Sequence, residues 1–239
     1  MSRVRVQPCP PSAAPAPCGD DVHVWVVPLD LPPVPLDELF ADLIPAERER
    51  AARYRAVKVR EQFVVGRGLL RRVLAGHLGV SPHEVPFAYA DGGKPVLDGH
   101  PLHFNLTHTD GLALIATATR RVGIDVERVR HIPDADGLVS RFFSPAECAA
   151  YRALPHDRRA VGFLRGWTCK EAVIKAAGAT VQCLDGFDVE LDPELPPRVL
   201  AARHAAIGGC GWAVEAWEPV AGFAAAVALE MANDTVPTK

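Results

Sequence analysis

The chain has 239 residues, with 26 lysines and arginines against 29 aspartates and glutamates, a net charge of −3, and 49% hydrophobic residues. This is enough chain for one large domain, or two of about 110 residues, with a buried core, and it excludes both a disordered tail and a strongly basic nucleic-acid binder. No apolar stretch follows Arg3 and Arg5, and no run approaches the roughly 18 apolar residues of a membrane span, so neither secretion nor membrane insertion is expected.

Residues 1–20 carry Pro8, Pro10, Pro11, Pro15 and Pro17 among small residues. Such a composition does not repay the entropy of ordering, and the segment is expected to be disordered and outside the fold. Val22 to Val27 is β-branched and aromatic and reads as a strand; Pro32, Pro33 and Pro35 then punctuate the chain before a helical pattern from Leu36. From Val59 to Leu78 the positions Phe63, Gly66, Leu70, Val73, Leu74 and Leu78 recur at helical spacing, giving a long amphipathic helix. Strand patterns follow at 86–90, 102–106, 112–117 and 122–126, a second helical region at 144–178, and late strands near 187–191, 212–217 and 222–229. Residues 231–239 read as a flexible tail. The six cysteines are scattered with no C-x-x-C pair, which signals reduced thiols in a cytoplasmic protein, neither a zinc site nor a disulfide framework.

The order hides a repeat. Pro45-Ala46-Glu47 returns as Pro145-Ala146-Glu147, and Phe63, Gly66 and Val73 return as Phe163, Gly166 and Val173, all 100 positions later. Gly111 to Ala116 likewise resembles Gly222 to Val227. The expected class is therefore α+β, with mixed and antiparallel sheets, built as a pseudo-dimer of two similar halves, 21–118 and 119–230, that meet in a cleft.

Three segments could carry chemistry. In Gly123-Ile124-Asp125-Val126-Glu127, strand alternation puts Asp125 and Glu127 on one face about 6.5 Å apart. Two hard carboxylates beside a phosphate suit magnesium; the same alternation also fits a half-exposed strand with a solvated face. In Trp167-Thr168-Cys169-Lys170-Glu171, continuing to Lys175, Glu171 and Lys175 stand one helical turn apart, as an ordinary surface ion pair also would. The chain has only 5 lysines against 21 arginines, yet Lys94, Lys170 and Lys175 fall in these segments. A compact ammonium reaching a phosphate is one reason for that choice. Finally, Gly93-Lys94-Pro95 makes a tight turn. Asn105, Thr107 and His108 follow on a strand, where a hydroxyl and an imidazole can bind phosphate or simply cap a loop.

Taken together, Gly93-Lys94-Pro95, Phe104-Asn105-Leu106-Thr107-His108, Val122 to Glu127, Arg141-Phe142-Phe143-Ser144 and Trp167 with Lys170-Glu171-Ala172 and Lys175 resemble the phosphopantetheinyl transferases. The likeness is to their surfactin-type, two-halved, monomeric branch and covers about residues 45–230. It implies magnesium-dependent transfer of the phosphopantetheine arm of coenzyme A, the substrate, to a serine of an apo acyl or peptidyl carrier protein, with release of adenosine 3′,5′-bisphosphate. It further implies a coenzyme A site between the halves. Asp125, Glu127 and Glu171 would hold the metal, and Glu171 would take the serine proton directly or through water. Lys170 and Lys175 would meet the charge developing on the leaving group, and Thr107 and His108 the phosphates. Arg50 would meet the ribose phosphate, and the Gly93-Lys94-Pro95 turn the adenine. Gln62 stands where many members have arginine, leaving Arg53 or Arg60 as substitutes. Arg128, Arg130 and Arg141 with Phe142 and Phe143 are expected to form the carrier-docking surface, at least one phenylalanine being exposed. Neither nucleic acid nor membrane is an expected partner. A magnesium-dependent nucleotide pyrophosphate hydrolase is the competing enzyme class.

Overall fold

The computed structural model describes residues 3–7, 9, 16–90 and 93–232. Its elements run β1 (Arg3–Gln7), β2 (Asp21–Pro28), α1 (Leu36–Ala41), α2 (Pro45–Ala52), α3 (Val57–Leu78), β3 (Phe87–Tyr89), β4 (Pro95–Leu97), β5 (His103–Thr109), β6 (Leu112–Ala118) and β7 (Val122–Arg128). They continue with α4 (Ala135–Phe142), α5 (Pro145–Ala153), α6 (Arg159–Ala177), β8 (Phe187–Val189), β9 (Val199–Ala202), α7 (Ala205–Gly208), β10 (Trp212–Trp217) and β11 (Phe223–Glu230). The α+β class expected from the pattern is what the chain adopts. Most of the tail, 233–239, lies outside the described residues, and no helix among those described is long and apolar enough to cross a membrane.

Two sheets form the centre, ordered β1-β2-β6-β5 and β10-β11-β7. Alternation assigns their faces. Val22, Val24, Leu112, Leu114 and Ala116 from one sheet pack against Val122, Ile124, Val126, Ala225, Val227 and Leu229 from the other. The opposite face of the first sheet, with Trp25, Val27, Ala113 and Ile115, is covered by Leu69, Leu70 and Val73 of α3. The opposite face of the second, with Val214, Ala226 and Ala228, is covered by Ala172, Val173 and Ala176 of α6. The result is helix, sheet, sheet, helix, in which β6 and the inner part of β7 are buried on both faces.

The repeat read from sequence has matching structural roles. Pro45 and Pro145 open α2 and α5, and the glutamate two residues later reaches back to the backbone N–H at the helix start, Ile44 at 3.2 Å and Ser144 at 2.9 Å. Both long helices end on a left-handed glycine, Gly79 and Gly178, with φ of +68° and +70°.

One expectation is corrected here. Residues 3–7 belong to the fold: β1 pairs in parallel with β2 from Arg3↔Asp21 to Gln7↔Trp25, and Arg5 bridges Asp21 at 3.0 Å. Averaging composition over twenty residues hid a five-residue strand of alternating valines, in which Val4 packs on the intersheet core.

Candidate active site

The face of β7 carrying Gly123, Asp125 and Glu127 lies beneath α6. At Gly123 the helix comes so close that an added Cβ would stand 2.1 Å from Ala172 O and 2.3 Å from Ala176 N. Only glycine permits that approach. It sets the Glu171–Lys175 turn of α6 over Asp125: Lys175 Nζ donates to Asp125 Oδ1 at 2.6 Å and lies 4.0 Å from Glu171. Thr107 Oγ1, from β5, donates to the same Asp125 oxygen at 3.1 Å and lies 3.4 Å from Lys175 Nζ. Beside it Ile124 N donates to Asn105 Oδ1 at 2.9 Å, tying β7 to β5.

The electrostatics ask for a cation. Asp125 Oδ2 is buried with no partner among the described residues. Burial raises the Glu127 carboxyl above the usual carboxylate range, and the charges of Asp125 and Glu171 add to this. Burial likewise raises Glu171, with Asp125 adding to it and Lys175 opposing. Among the described residues no three acidic, histidine or cysteine side chains already converge on one point. The donor set nevertheless fits a hard divalent ion, being all carboxylate oxygens, mutually repelling, with one oxygen orphaned in a buried position.

β5 is the partition between this cluster and a cavity. Thr107 faces Asp125; Leu106 and His108 face a cavity of about 240 Å³ lined also by Arg50, Tyr54, Gln62, Phe63, Arg67 and Pro95. The Arg50 guanidinium lies 5.1 Å from the Phe63 ring centroid, which in turn is 5.4 Å from Tyr54. A cavity with cations at its rim and aromatic rings in its wall suits a planar, anionic ligand.

Of the residues singled out in sequence, Asp125, Glu127, Glu171, Lys175 and Thr107 come together, and Arg50, Pro95 and His108 line the adjoining cavity. Arg53 is exposed and does not line it, and Arg60 opens onto a different groove with Phe40 and Glu61. Arg67 supplies the second cavity cation instead. It pairs with Glu47 at 3.0 Å and sits four residues after Phe63, a helical spacing that offered a signal. Tyr54 gave none. Gln62 is held by Asp30 at 2.7 Å.

Lys170 requires a correction. It is 1% exposed; its ammonium donates to both Glu147 oxygens at 2.8 and 2.7 Å and to Phe187 O at 2.6 Å, with the Phe187 ring beneath it. Adjacent helix residues diverge by about 100°, so when Glu171 faces β7 its predecessor points into the core. Glu47 and Arg71 form the counterpart pair in the first half, at 2.6 Å. The Lys94 ammonium donates to Lys175 O at 2.5 Å and Val122 O at 3.3 Å, and burial pulls its pKa down to about 8. Neither phenylalanine of Arg141-Phe142-Phe143 is exposed. Phe143 is core, and Phe142 is half-buried edge-on to Trp167, 5.6 Å away.

Comparison with known proteins finds sequence matches in both halves of the chain. Residues 121–228 match the 4'-phosphopantetheinyl transferase superfamily and residues 35–120 the 4'-phosphopantetheinyl transferase N-terminal family. The chain is 38% identical over 219 residues to 4'-phosphopantetheinyl transferase HetI of Nostoc, covering 83% of this chain and 92% of that one. It is 30% identical to a 4'-phosphopantetheinyl transferase of Bacillus subtilis, covering 65% and 69%. The holo-acyl-carrier-protein synthase of Thermotoga maritima superposes with a TM-score of 0.36 at 23% identity, over 46% of this chain and 61% of that one. That of Helicobacter pylori, solved in complex with coenzyme A, superposes with a TM-score of 0.35 at 18% identity, over 46% and 99%. At these scores the two structural likenesses carry no argument. The sequence matches, spanning both halves and the strand and helix that carry Asp125 and Glu171, do: the chain belongs to the 4'-phosphopantetheinyl transferase family and is an enzyme of that activity.

Proposed function

We propose that the chain moves the phosphopantetheine arm of coenzyme A to a serine hydroxyl of an apo acyl or peptidyl carrier protein, with magnesium, releasing adenosine 3′,5′-bisphosphate. The observation that carries this reading is the cluster of buried Asp125 with half-buried Glu127, Glu171 and Lys175, separated by β5 from a cavity holding Arg50, Arg67 and His108. The nucleotide end would lie in the cavity, with Arg50 and Arg67 on its phosphate and Phe63 and Tyr54 against its ring. Asp125, Glu127 and Glu171 would hold magnesium, which when bound neutralises pyrophosphate charge. Glu171, with a carboxyl raised by burial, is suited to accept the serine proton directly or through water. The serine oxygen then bonds to the β-phosphorus as the bond to the bisphosphate breaks. Lys175 lies beside the carboxylates where that negative charge grows. Two halves in one chain supply both walls, so the enzyme would act as a monomer; the six free cysteines suit a reducing, cytoplasmic setting.

Incubation with coenzyme A, magnesium and an apo carrier protein, read as a mass gain on the carrier serine, tests the reading; release of the arm into water alone would identify a pyrophosphate hydrolase instead. Glu171→Gln keeps shape and removes basicity, and the turnover is expected to fall at least about 10²-fold. A change confined to apparent affinity would make Glu171 a positioning residue.

Metal loading should also depend on pH in a defined direction. Glu127 and Glu171 are both raised in the folded state, so the native protein holds these protons to higher pH than the unfolded chain. The cost of ionising them where burial disfavours charge is absent below their unfolded values and is met as pH rises through the folded ones. Magnesium replaces those protons. The rise in Tm on adding magnesium is expected to be small near pH 4.5 and to grow toward neutrality; a rise independent of pH would refute the assignment of these glutamates.

A further inference from the structure

Lys94 belongs to the first half, in the turn between β3 and β4, where Gly93 has φ of +81° and Ala90 N donates to Lys94 O at 2.9 Å. Its side chain leaves that half. The ammonium donates to Lys175 O in the last turn of α6 and to Val122 O at the first residue of β7. Carbonyls in the last turn of a helix are short of partners and favour a cation; Lys175 O otherwise accepts a long bond from Gly178 N at 3.4 Å. One side chain thus ties together the end of the helix that carries Glu171 and Lys175 and the start of the strand that carries Asp125. The residue it grips by its carbonyl, Lys175, is the one whose own ammonium lies 2.6 Å from Asp125. The next residue in the turn, Pro95, lines the cavity assigned to the nucleotide. The other charged and titratable groups around Lys94 are Arg121, paired with Glu230 at 2.7 Å, and His103 and His100. Among the described residues no carboxylate pairs with its ammonium.

We propose that Lys94 is a positioning residue that couples occupancy of the nucleotide cavity to the register of α6 on β7. A ligand seated against Pro95 restrains the Gly93-Lys94-Pro95 turn, and Lys94 passes the restraint to the last turn of α6. Glu171 and Lys175 are thereby held where Asp125 needs them. The inference rests on the transfer reading above for its kinetic consequences, and on geometry alone for its mechanical ones.

The test uses the full chain with Lys94→Met, which keeps the length and removes the donors, and Lys94→Arg, which keeps donors. A misplacement of about 1 Å at reacting groups costs on the order of 10²-fold, so kcat of Lys94→Met is expected to fall 10- to 100-fold. The KM for coenzyme A should stay within about threefold, because binding and chemistry separate when only alignment is lost. Lys94→Arg should recover most of kcat. Independently of activity, coenzyme A should slow amide hydrogen exchange at residues 172–178 in the unmodified protein, and this response should vanish in Lys94→Met and return in Lys94→Arg. A large rise in KM with kcat retained would mean direct nucleotide contact and overturn the proposal. A lowered Tm with kinetics and exchange response unchanged would also overturn it, as purely structural. If Lys94→Met fails to fold, the exchange response decides: its absence from the unmodified protein with coenzyme A bound refutes the coupling. Failure of the unmodified protein to load any carrier would instead refute the transfer reading, leaving the exchange result to judge Lys94.

Discussion

Asp125→Asn is expected to lower the transfer rate about 10³-fold at saturating coenzyme A, the equivalent of about 4 kcal/mol of transition-state stabilisation. The substitution keeps size and still lets Thr107 donate to the side-chain oxygen, so folding is spared. It removes the charge against which Lys175 is placed at 2.6 Å, and the orphaned Oδ2 that makes the position attractive to a cation. Glu127 and Glu171 would lose a repelling neighbour, and both carboxyls should move down toward the ordinary range. That leaves two half-buried glutamates with less reason to bind a divalent ion, so magnesium affinity falls along with turnover. Calorimetric titration with magnesium and single-turnover loading of an apo carrier measure the two effects. A variant that loads the carrier at the normal rate in ordinary magnesium would remove Asp125 from the metal set.

Lys170→Met is expected to act on stability and to leave the chemistry nearly alone. Burial pushes Glu147 up and Lys170 down, each toward its neutral form, while their bidentate contact and the bond to Phe187 O hold both charged. Removing one partner of such a pair leaves an uncompensated buried charge and costs about 3–5 kcal/mol. Glu147 also accepts from Ser144 N and Val189 N, both at the edge of the second-half core, so the loss is felt at the start of α5 and at β8. Pairing the change with Glu147→Gln removes the stranded charge but keeps an acceptor for one of those two amides, since they bond different oxygens, and the double variant should recover about half of the loss. Urea melts of the single and double variants, with turnover expressed per folded molecule, check this. Normal stability with lost turnover would return Lys170 to the catalytic group.

The architecture was legible in the sequence because its signals are local. β-Branched and aromatic composition marked β2, strand-like runs marked β5, β6, β7 and β11, helical spacing marked α3, and the identities at an offset of 100 residues marked the duplication. Alternation also placed Asp125 and Glu127 on a common face, and the motif segments named the family that the comparisons then showed. The repeated Pro-Ala-Glu even carried the information that Glu47 and Glu147 close the first turns of α2 and α5, which only the pairs Glu47–Arg71 and Glu147–Lys170 made visible.

What the sequence left open was which side of α6 meets β7. That helix is buried nearly all round, with Gly162, Phe163, Leu164, Gly166, Thr168, Cys169, Lys170, Ala172, Val173, Ile174 and Ala176 inside, so no apolar stripe distinguishes the face that covers the site. Lys170 and Glu171 are neighbours in sequence and point about 100° apart in space. The close approach at Gly123 selects Glu171 and Lys175 for the cluster and sends Lys170 to Glu147. The same kind of long-range choice turned Lys94 from the cavity toward the carbonyls of Lys175 and Val122, and placed Arg67, in preference to Arg53 or Arg60, in the cavity wall. Residue types and local periods are properties of a few neighbouring positions, whereas the direction of a long cation is set by whichever carboxylate or carbonyl the packing of distant elements brings within about 3 Å of it.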